Sequence, residues 1–345
     1  DALPIYGNQK KANLTGAVSS VDVGKSLTSR PIADVSRGLQ GTTPGLSVVI
    51  GNGEVGSETV MKIRGQIGSI YGGSAPLILL DNVEIPSIQL VNPNDIESIS
   101  ILKDAASASI YGSKAAFGVI LITSKKGSKR EATSVQYSSN FSWQNVAKDI
   151  NMGKLDGLEY SVLAAERVSS TVTGAFWLID RASFDKSKLW IENYGNTVKN
   201  DDPMLYGRDW YFDVPNNRKM GVRMYNAYEA MVREWAPTQN HNIAVSGGSE
   251  KTSFNIGLDY LNQSGMLKHA KKDNFTKYNA SVRVSTEINK YLTVRSGLIF
   301  SNRLKTYPYV TTAADPWLFL YRWSSVQPLT SEGGEDLRSP VSEVK

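Results

Sequence analysis

Apolar positions follow two different rules along this chain. From about Leu14 to Gly127, short apolar runs alternate with capped, small-residue segments. This spacing predicts strands at Ala17–Val23, Leu46–Ile50, Thr59–Ile63, Leu77–Leu80, Ile96–Leu102 and Val119–Ile122. It predicts helices at Ile32–Gln40 and Ala105–Ile110, the first with Pro31 at its start and Gly41 after its end. Asp104 stands where an N-cap accepts from free backbone N–H groups, and Gly112 where a helix stops. The run Val119–Ile122 has no polar alternation and reads as a strand buried on both faces. Together these elements predict a small α/β domain.

From Thr133 the spacing becomes strict alternation. Val135, Tyr137, Ser139, Phe141 and Trp143 share one face, against Ser134, Gln136, Ser138, Asn140 and Ser142. Phe254, Ile256, Leu258 and Tyr260 oppose Asn255, Gly257 and Asp259. Tyr278, Ala280, Val282 and Val284 oppose Asn279, Ser281, Arg283 and Ser285. Leu292, Val294, Leu298 and Phe300 oppose Thr293, Arg295 and Gly297, and a shorter strand runs through Ile243 and Val245. Period two sends alternate side chains to opposite faces of a sheet.

Two architectures accept such strands: a soluble sandwich with the apolar face inside, or a membrane barrel with it outside. Connection lengths favour the barrel. Trp143–Asn240 is long, Gly247–Glu250 tight, Met266–Asn274 intermediate, Asn289–Lys290 tight, and the segment after Lys305 long again. Short turns at one rim and long loops at the other produce this order. Filled barrels of this kind need about 22 strands, so the rest are expected beyond Lys345 and the chain is expected to be a fragment. Within the long connection, Met224, Tyr228, Met231 and Trp235 fall at helical spacing, as do Leu155, Leu158 and Val162. That spacing reads as packing of an ordered loop, or as a surface for a partner or ligand.

Composition narrows the chemistry. The 345 residues carry a formal charge of +5 with acids and bases interspersed and no basic block suited to nucleic acid. Cysteine is absent, which removes disulfides and thiolate chemistry, and His241 and His269 are the two histidines, neither beside a carboxylate motif. No metal site, cofactor or catalytic set is expected, and no apolar run is long enough for a transmembrane helix. GNGEVG at Gly51–Gly56 spells a dinucleotide fingerprint, but strand-like SETVMKIRG follows where a helix is required, so it reads as a hairpin-like loop. Gly24-Lys25-Ser26 lacks the earlier glycine of a phosphate loop, and Ser100-x-x-Lys103 lies on a strand without partner motifs. Arg64, beside the predicted Thr59–Ile63 strand, is read as an anchor by ion pair or hydrogen bond between the small domain and a polar barrel wall.

One string is far more specific. NPNDIESISILKDAASASIYGSKAAFGVILITSKKG, Asn92–Gly127, closely resembles the end of the plug domain of SusC/RagA-type TonB-dependent outer-membrane transporters. GAVSSVD at Gly16–Asp22, DVSRGLQGTTPGLSV at Asp34–Val48, MKIRGQIGS at Met61–Ser69 and APLILLDNVEI at Ala75–Ile85 resemble the rest of that domain. GRDW at Gly207–Trp210 and the stretch Asn240–Gly265 resemble the first barrel hairpin. Asn82 replaces a usual glycine, a change left-handed turns tolerate, and Phe117 a frequent asparagine.

The resemblance implies a lead-in over 1–13, an α+β plug over 14–130, and antiparallel transmembrane β-barrel strands with outer loops over 131–345. It implies a non-enzymatic importer in the bacterial outer membrane, embedded in its lipid, for a glycan or an oligopeptide. Its partners would be a SusD-like (RagB-like) surface lipoprotein acting as lid and the TonB-ExbB-ExbD energy-coupling complex, though no TonB box is visible. Glycine-rich plug loops would face substrate through Asn52 and Glu54 in one, and Gln66, Ser69, Tyr71, Gly72 and Gly73 in the other, with Tyr71 stacking on a sugar ring or peptide. The rival reading is a secreted β-rich binding or adhesion module.

Overall fold

The computed structural model describes residues 18–21, 34–50, 54–65, 74–104, 108–146, 155–168, 180–200, 202–215, 217–268 and 273–307. The chain divides into two compact units, one of Asp1–Gln144, Pro237–Gly265 and Asn274–Lys305, the other of Asn145–Ala236, Met266–Asp273 and Thr306–Lys345.

In the first unit, the N-terminal part contains β1 (Val18–Val21), a helix α1 (Val35–Leu39), β2 (Leu46–Ile50), β3 (Thr59–Ile63), β4 (Leu77–Leu80), β5 (Val83–Glu84), β6 (Ile96–Leu102) and β7 (Val119–Ser124). Five strands form one sheet in the order β1-β6-β7-β4-β5, and β2 and β3 form a separate antiparallel hairpin. β4 and β7 run parallel; the remaining pairs of the larger sheet are antiparallel. β7 is buried on both faces, as its unbroken apolar run requires: Ile120 and Ile122 join the main core with Ile99 and Ile101, and Val119 and Leu121 join a second cluster with Ala108 and Ala115. Gly118 precedes β7 at φ 93, and a Cβ there would lie 2.6 Å from Ile63 Cδ1. The β4–β5 hairpin turns on Asp81 (φ 49) and Asn82 (φ 71), both left-handed, as a two-residue turn of this twist demands.

Helix boundaries differ from expectation. Residues 31–33 lie outside the described residues, and α1 starts at Val35 because the Asp34 carboxylate caps it, accepting from Ser36 N–H at 2.9 Å. Residues 105–107 also lie outside them. Beyond, Ser109–Ala115 is 3₁₀ rather than α, and it is two short pieces separated at Gly112 (φ 66, ψ −153), so the first stops at the expected glycine.

The chain then enters β8 (Ser134–Gln144) and passes to the second unit. There it forms α2 (Leu155–Val168), α3 (Arg181–Tyr194), the antiparallel pair β9 (Trp210–Asp213) and β10 (Arg218–Gly221), and α4 (Ala227–Met231). Leu158 and Val162 of α2 pack on Phe184 of α3, so the helical spacing from Leu155 is borne out. The spacing Met224–Trp235 is not: only Ala227–Met231 is helical, because Val232 leaves to bridge Leu267, and Trp235 is exposed. The sequence reading missed α3, whose signals are the Asp180 cap and the apolar pair Phe184 and Trp190.

The first unit resumes with β11 (Ala236–Gly248), β12 (Thr252–Ser264), β13 (Asn274–Asn289) and β14 (Leu292–Thr306). With β8 these form one sheet in the order β14-β13-β12-β11-β8. The strand expected to be short, through Ile243 and Val245, is thirteen residues long.

Candidate functional site: the contact between domain and wall

The central strands of the wall, β12 and the first half of β13, bury their polar side. On β12, Ser253, Asn255, Asp259 and Gln263 are buried, and Leu258 between them is 49% exposed. On β13, Lys277 is 2% exposed and its neighbour Tyr278 is 49% exposed. A water-soluble sheet would show the reverse. On these strands the polar side is covered by the N-terminal domain while the apolar side is open; β8 and the start of β14 are exposed on both faces.

Charged side chains make the contact. Asp95, at the entry to β6, accepts from Ser281 Oγ at 2.6 Å and lies 3.9 Å from an Arg283 guanidinium nitrogen. Asp81, on the β4–β5 turn, is held by Ser124 N–H at 2.9 Å and faces Arg283 Nε at 3.4 Å. Arg283 thus spans two carboxylates of the domain. Arg303 donates to Glu58 and to Gln89 Oε1, each at 3.1 Å, and Lys305 donates to Glu54 at 2.6 Å. Gln89 also donates to Asp34 Oδ2 at 3.0 Å and Ser57 O at 3.1 Å, tying α1, the β2–β3 loop and the wall together. Lys129 pairs with Glu287 near the tight-turn rim. An apolar spot of Val55, Leu261 and Phe275 completes the contact. Between Asp34, Gln89, Gln263 and Lys277 lies a cavity of about 20 Å³, room for a water molecule rather than a nutrient.

Of the residues expected to face substrate, Glu54 is engaged by Lys305. Asn52, Gln66, Ser69, Tyr71, Gly72 and Gly73 lie outside the described residues. Arg64 is exposed at φ 55, its N–H donating to Gly45 O at 2.6 Å. Besides Glu54, the wall is met by Asp81, Asp95, Glu58 and Gln89, which sequence reasoning passed over. Their available signal was the set of bases on the polar side of β13 and β14.

The second unit has its own buried hub. Asp209 accepts from Trp190 Nε1 at 2.9 Å, Leu205 N–H at 2.8 Å and Arg208 at 2.7 Å. Burial pushes its carboxyl up, but the Arg208, Leu205 and Trp190 hydrogen bonds outweigh this and hold it below its ordinary value. Arg223, 1% exposed, lies 3.7 Å from the same carboxylate and donates to the Asp202 carbonyl at 2.8 Å and to that of Lys199. Burial pushes the neighbouring Tyr225 hydroxyl up to about 12.

A sheet that turns its polar side to a folded α/β domain and its apolar side outward is arranged as the wall of a plugged barrel. The family model "TonB-dependent Receptor Plug Domain" matches residues 10–119. The N-terminal domain is a TonB-dependent receptor plug domain, and over it and the strands that follow the chain is similar to SusC- and RagA-type receptors. "TonB-dependent receptor P26" of Formosa agariphila is 29% identical over 315 residues, 88% of this chain and 28% of the relative. "TonB-dependent receptor SusC" of Bacteroides thetaiotaomicron is 27% identical, covering 81% of this chain and 24% of SusC. The "RagAB peptide importer" in its open-open state superimposes at a TM-score of 0.66 and 27% identity, over 89% of this chain and 32% of that one. The chain thus spans less than a third of the length of these relatives.

Proposed function

We propose that the whole protein imports a nutrient actively across the bacterial outer membrane, with the N-terminal domain as the plug of its barrel. The observation that carries this reading is the inverted wall: buried Asn255, Asp259 and Lys277 against open Leu258 and Tyr278. A row of aromatic side chains supports it. His241, Tyr260 and Tyr278 are paired in register across β11, β12 and β13 on the open side, with Tyr137 of β8 sharing a 2.8 Å hydrogen bond with His241. Above Tyr260 the same side turns polar, with Asn262 donating to Asn274 and Thr276. Aromatic belts followed by polar side chains mark the edge of the hydrocarbon layer.

In this reading TonB-ExbB-ExbD drives plug displacement, a SusD-like lipoprotein covers the outer face, and the substrate is a glycan or oligopeptide; the similar RagAB is a peptide importer. The plug residues Asn52 and Gln66 to Gly73 meet the substrate in this reading, and Glu54 ties its own loop to the wall. Arg64 serves as a further plug anchor.

Growth of the source bacterium on single oligosaccharides or oligopeptides tests the proposal. Deleting the gene, or TonB, should abolish growth on the same nutrient; growth unaffected by both would overturn the reading. Tyr71→Ala at matched surface abundance should lower uptake, and unchanged uptake removes Tyr71 from the site.

A further inference from the structure

The bases of the wall are confined to one sector and to one side. β8, β11 and β12 contain no lysine or arginine. β13 and β14 contain Lys277, Arg283, Arg295, Arg303 and Lys305, all at odd positions. Odd positions are the side that faces the plug, as buried Phe275, Lys277, Asn279 and Ser281 show. None of these bases lies on the open side. Because β13 and β14 are joined through the tight turn at Asn289–Lys290, Lys277, Arg303 and Lys305 sit toward the long-connection rim, and Arg283 and Arg295 toward the tight-turn rim. The bases therefore form a track down the wall.

The plug answers this track with acids: Glu54 to Lys305, Glu58 to Arg303, and Asp81 and Asp95 to Arg283. The acids within the sector and beside it are themselves engaged, Glu287 by Lys129, and Asp259 by Asn240 at 3.1 Å with Lys277 at 4.0 Å. Withdrawing the plug's carboxylates leaves adjacent cations without counter-charges. Like charges brought together repel, and a passing anion relieves that repulsion.

We propose that this β13–β14 track, uncovered when the plug is displaced, is the part of the transport path that receives acidic groups of the substrate. The substrate class is therefore a carboxylate- or sulfate-bearing oligomer, which takes over in turn the cations released by the plug. This rests on the importer reading given above.

The test uses the full-length protein in planar bilayers, with the plug released by urea so that the path conducts potassium chloride. Oligogalacturonate and oligoglutamate are the acidic probes; maltooligosaccharide and an uncharged glycine–serine peptide are the neutral ones. Acidic probes should block conduction more strongly than neutral probes of equal length. Substituting Arg283, Arg295, Arg303 and Lys305 by Gln should weaken that block about tenfold, the size expected from several exposed ion pairs together, and should move ion selectivity toward potassium. Arg295→Gln alone, at an exposed position, should give a smaller change in the same direction and serves if the fourfold variant does not assemble. Block by only one acidic probe also supports the track and identifies the oligomer class. Equal block by neutral and acidic probes, or unchanged block and selectivity in the variants, overturns the track while leaving an importer. A protein that never conducts overturns the importer reading and the track with it.

Discussion

Asp95 of the plug lies directly over Gly257 of the wall: a Cβ at position 257 would sit 2.6 and 2.7 Å from its two carboxylate oxygens. The glycine is a clearance that lets a charged side chain reach Ser281 and Arg283. Gly257→Ala should push Asp95 out of this contact and weaken plug docking by about 1–3 kcal/mol, the usual scale of overpacking. Gly297 of β14 has nothing within 4 Å of its Cβ position, so Gly297→Ala is the matched control and should be neutral. Trypsin resistance of the plug in the detergent-solubilised full-length protein reads both.

Leu258 points away from the plug between buried Gly257 and Asp259. Leu258→Arg should cost about 2–4 kcal/mol in a bilayer if it lies near mid-depth. Reversible guanidine unfolding in lipid vesicles measures this, and a negligible cost would remove the lipid-facing assignment of that side.

Asp209→Asn leaves Arg208 and buried Arg223 without their carboxylate. Breaking such a pair costs about 3–5 kcal/mol, so hydrogen exchange should accelerate across α3 and β9–β10 and remain unchanged in the plug core. In the native protein the Asp209 carboxyl is held below its ordinary value. Its stabilisation is therefore present above the ordinary carboxylate range and is lost only as pH falls through the lowered value. Near-ultraviolet dichroism of Trp190 and Trp210 during acid titration follows the loss.

Tyr225 gives the opposite edge. A buried hydroxyl raised from 10.0 to about 12 contributes stability below the first value that disappears as pH rises toward the second. Tyr225→Phe should flatten this alkaline loss, and the difference in phenolate absorbance between the two proteins should titrate near 12.

Most strands were legible because each carries its own periodicity: β2, β3, β4 and β6 match their predicted bounds, and the wall strands were found by alternation alone. Helix ends were less legible, since the Asp34 cap on Ser36 N–H and the left-handed Gly112 are set by local backbone geometry that apolar spacing does not report. α3 escaped because Phe184 and Trp190 give it only a narrow apolar stripe among polar residues. Of the contact residues, Arg283 was visible as a member of a polar face, but its purpose was not. Asp81, Gln89 and Asp95 acquire theirs from partners between 186 and 214 residues away in the chain.

The linear order of residues determined the two structural languages and the strand faces, because pleat and helix periods are local properties of the backbone. It also contained the motif that marks the plug domain. Only the tertiary structure decided which face was inside and which acid met which base. Burial and Coulomb energy depend on distance in space, and strands of equal alternation satisfy either orientation until a polar domain covers one side.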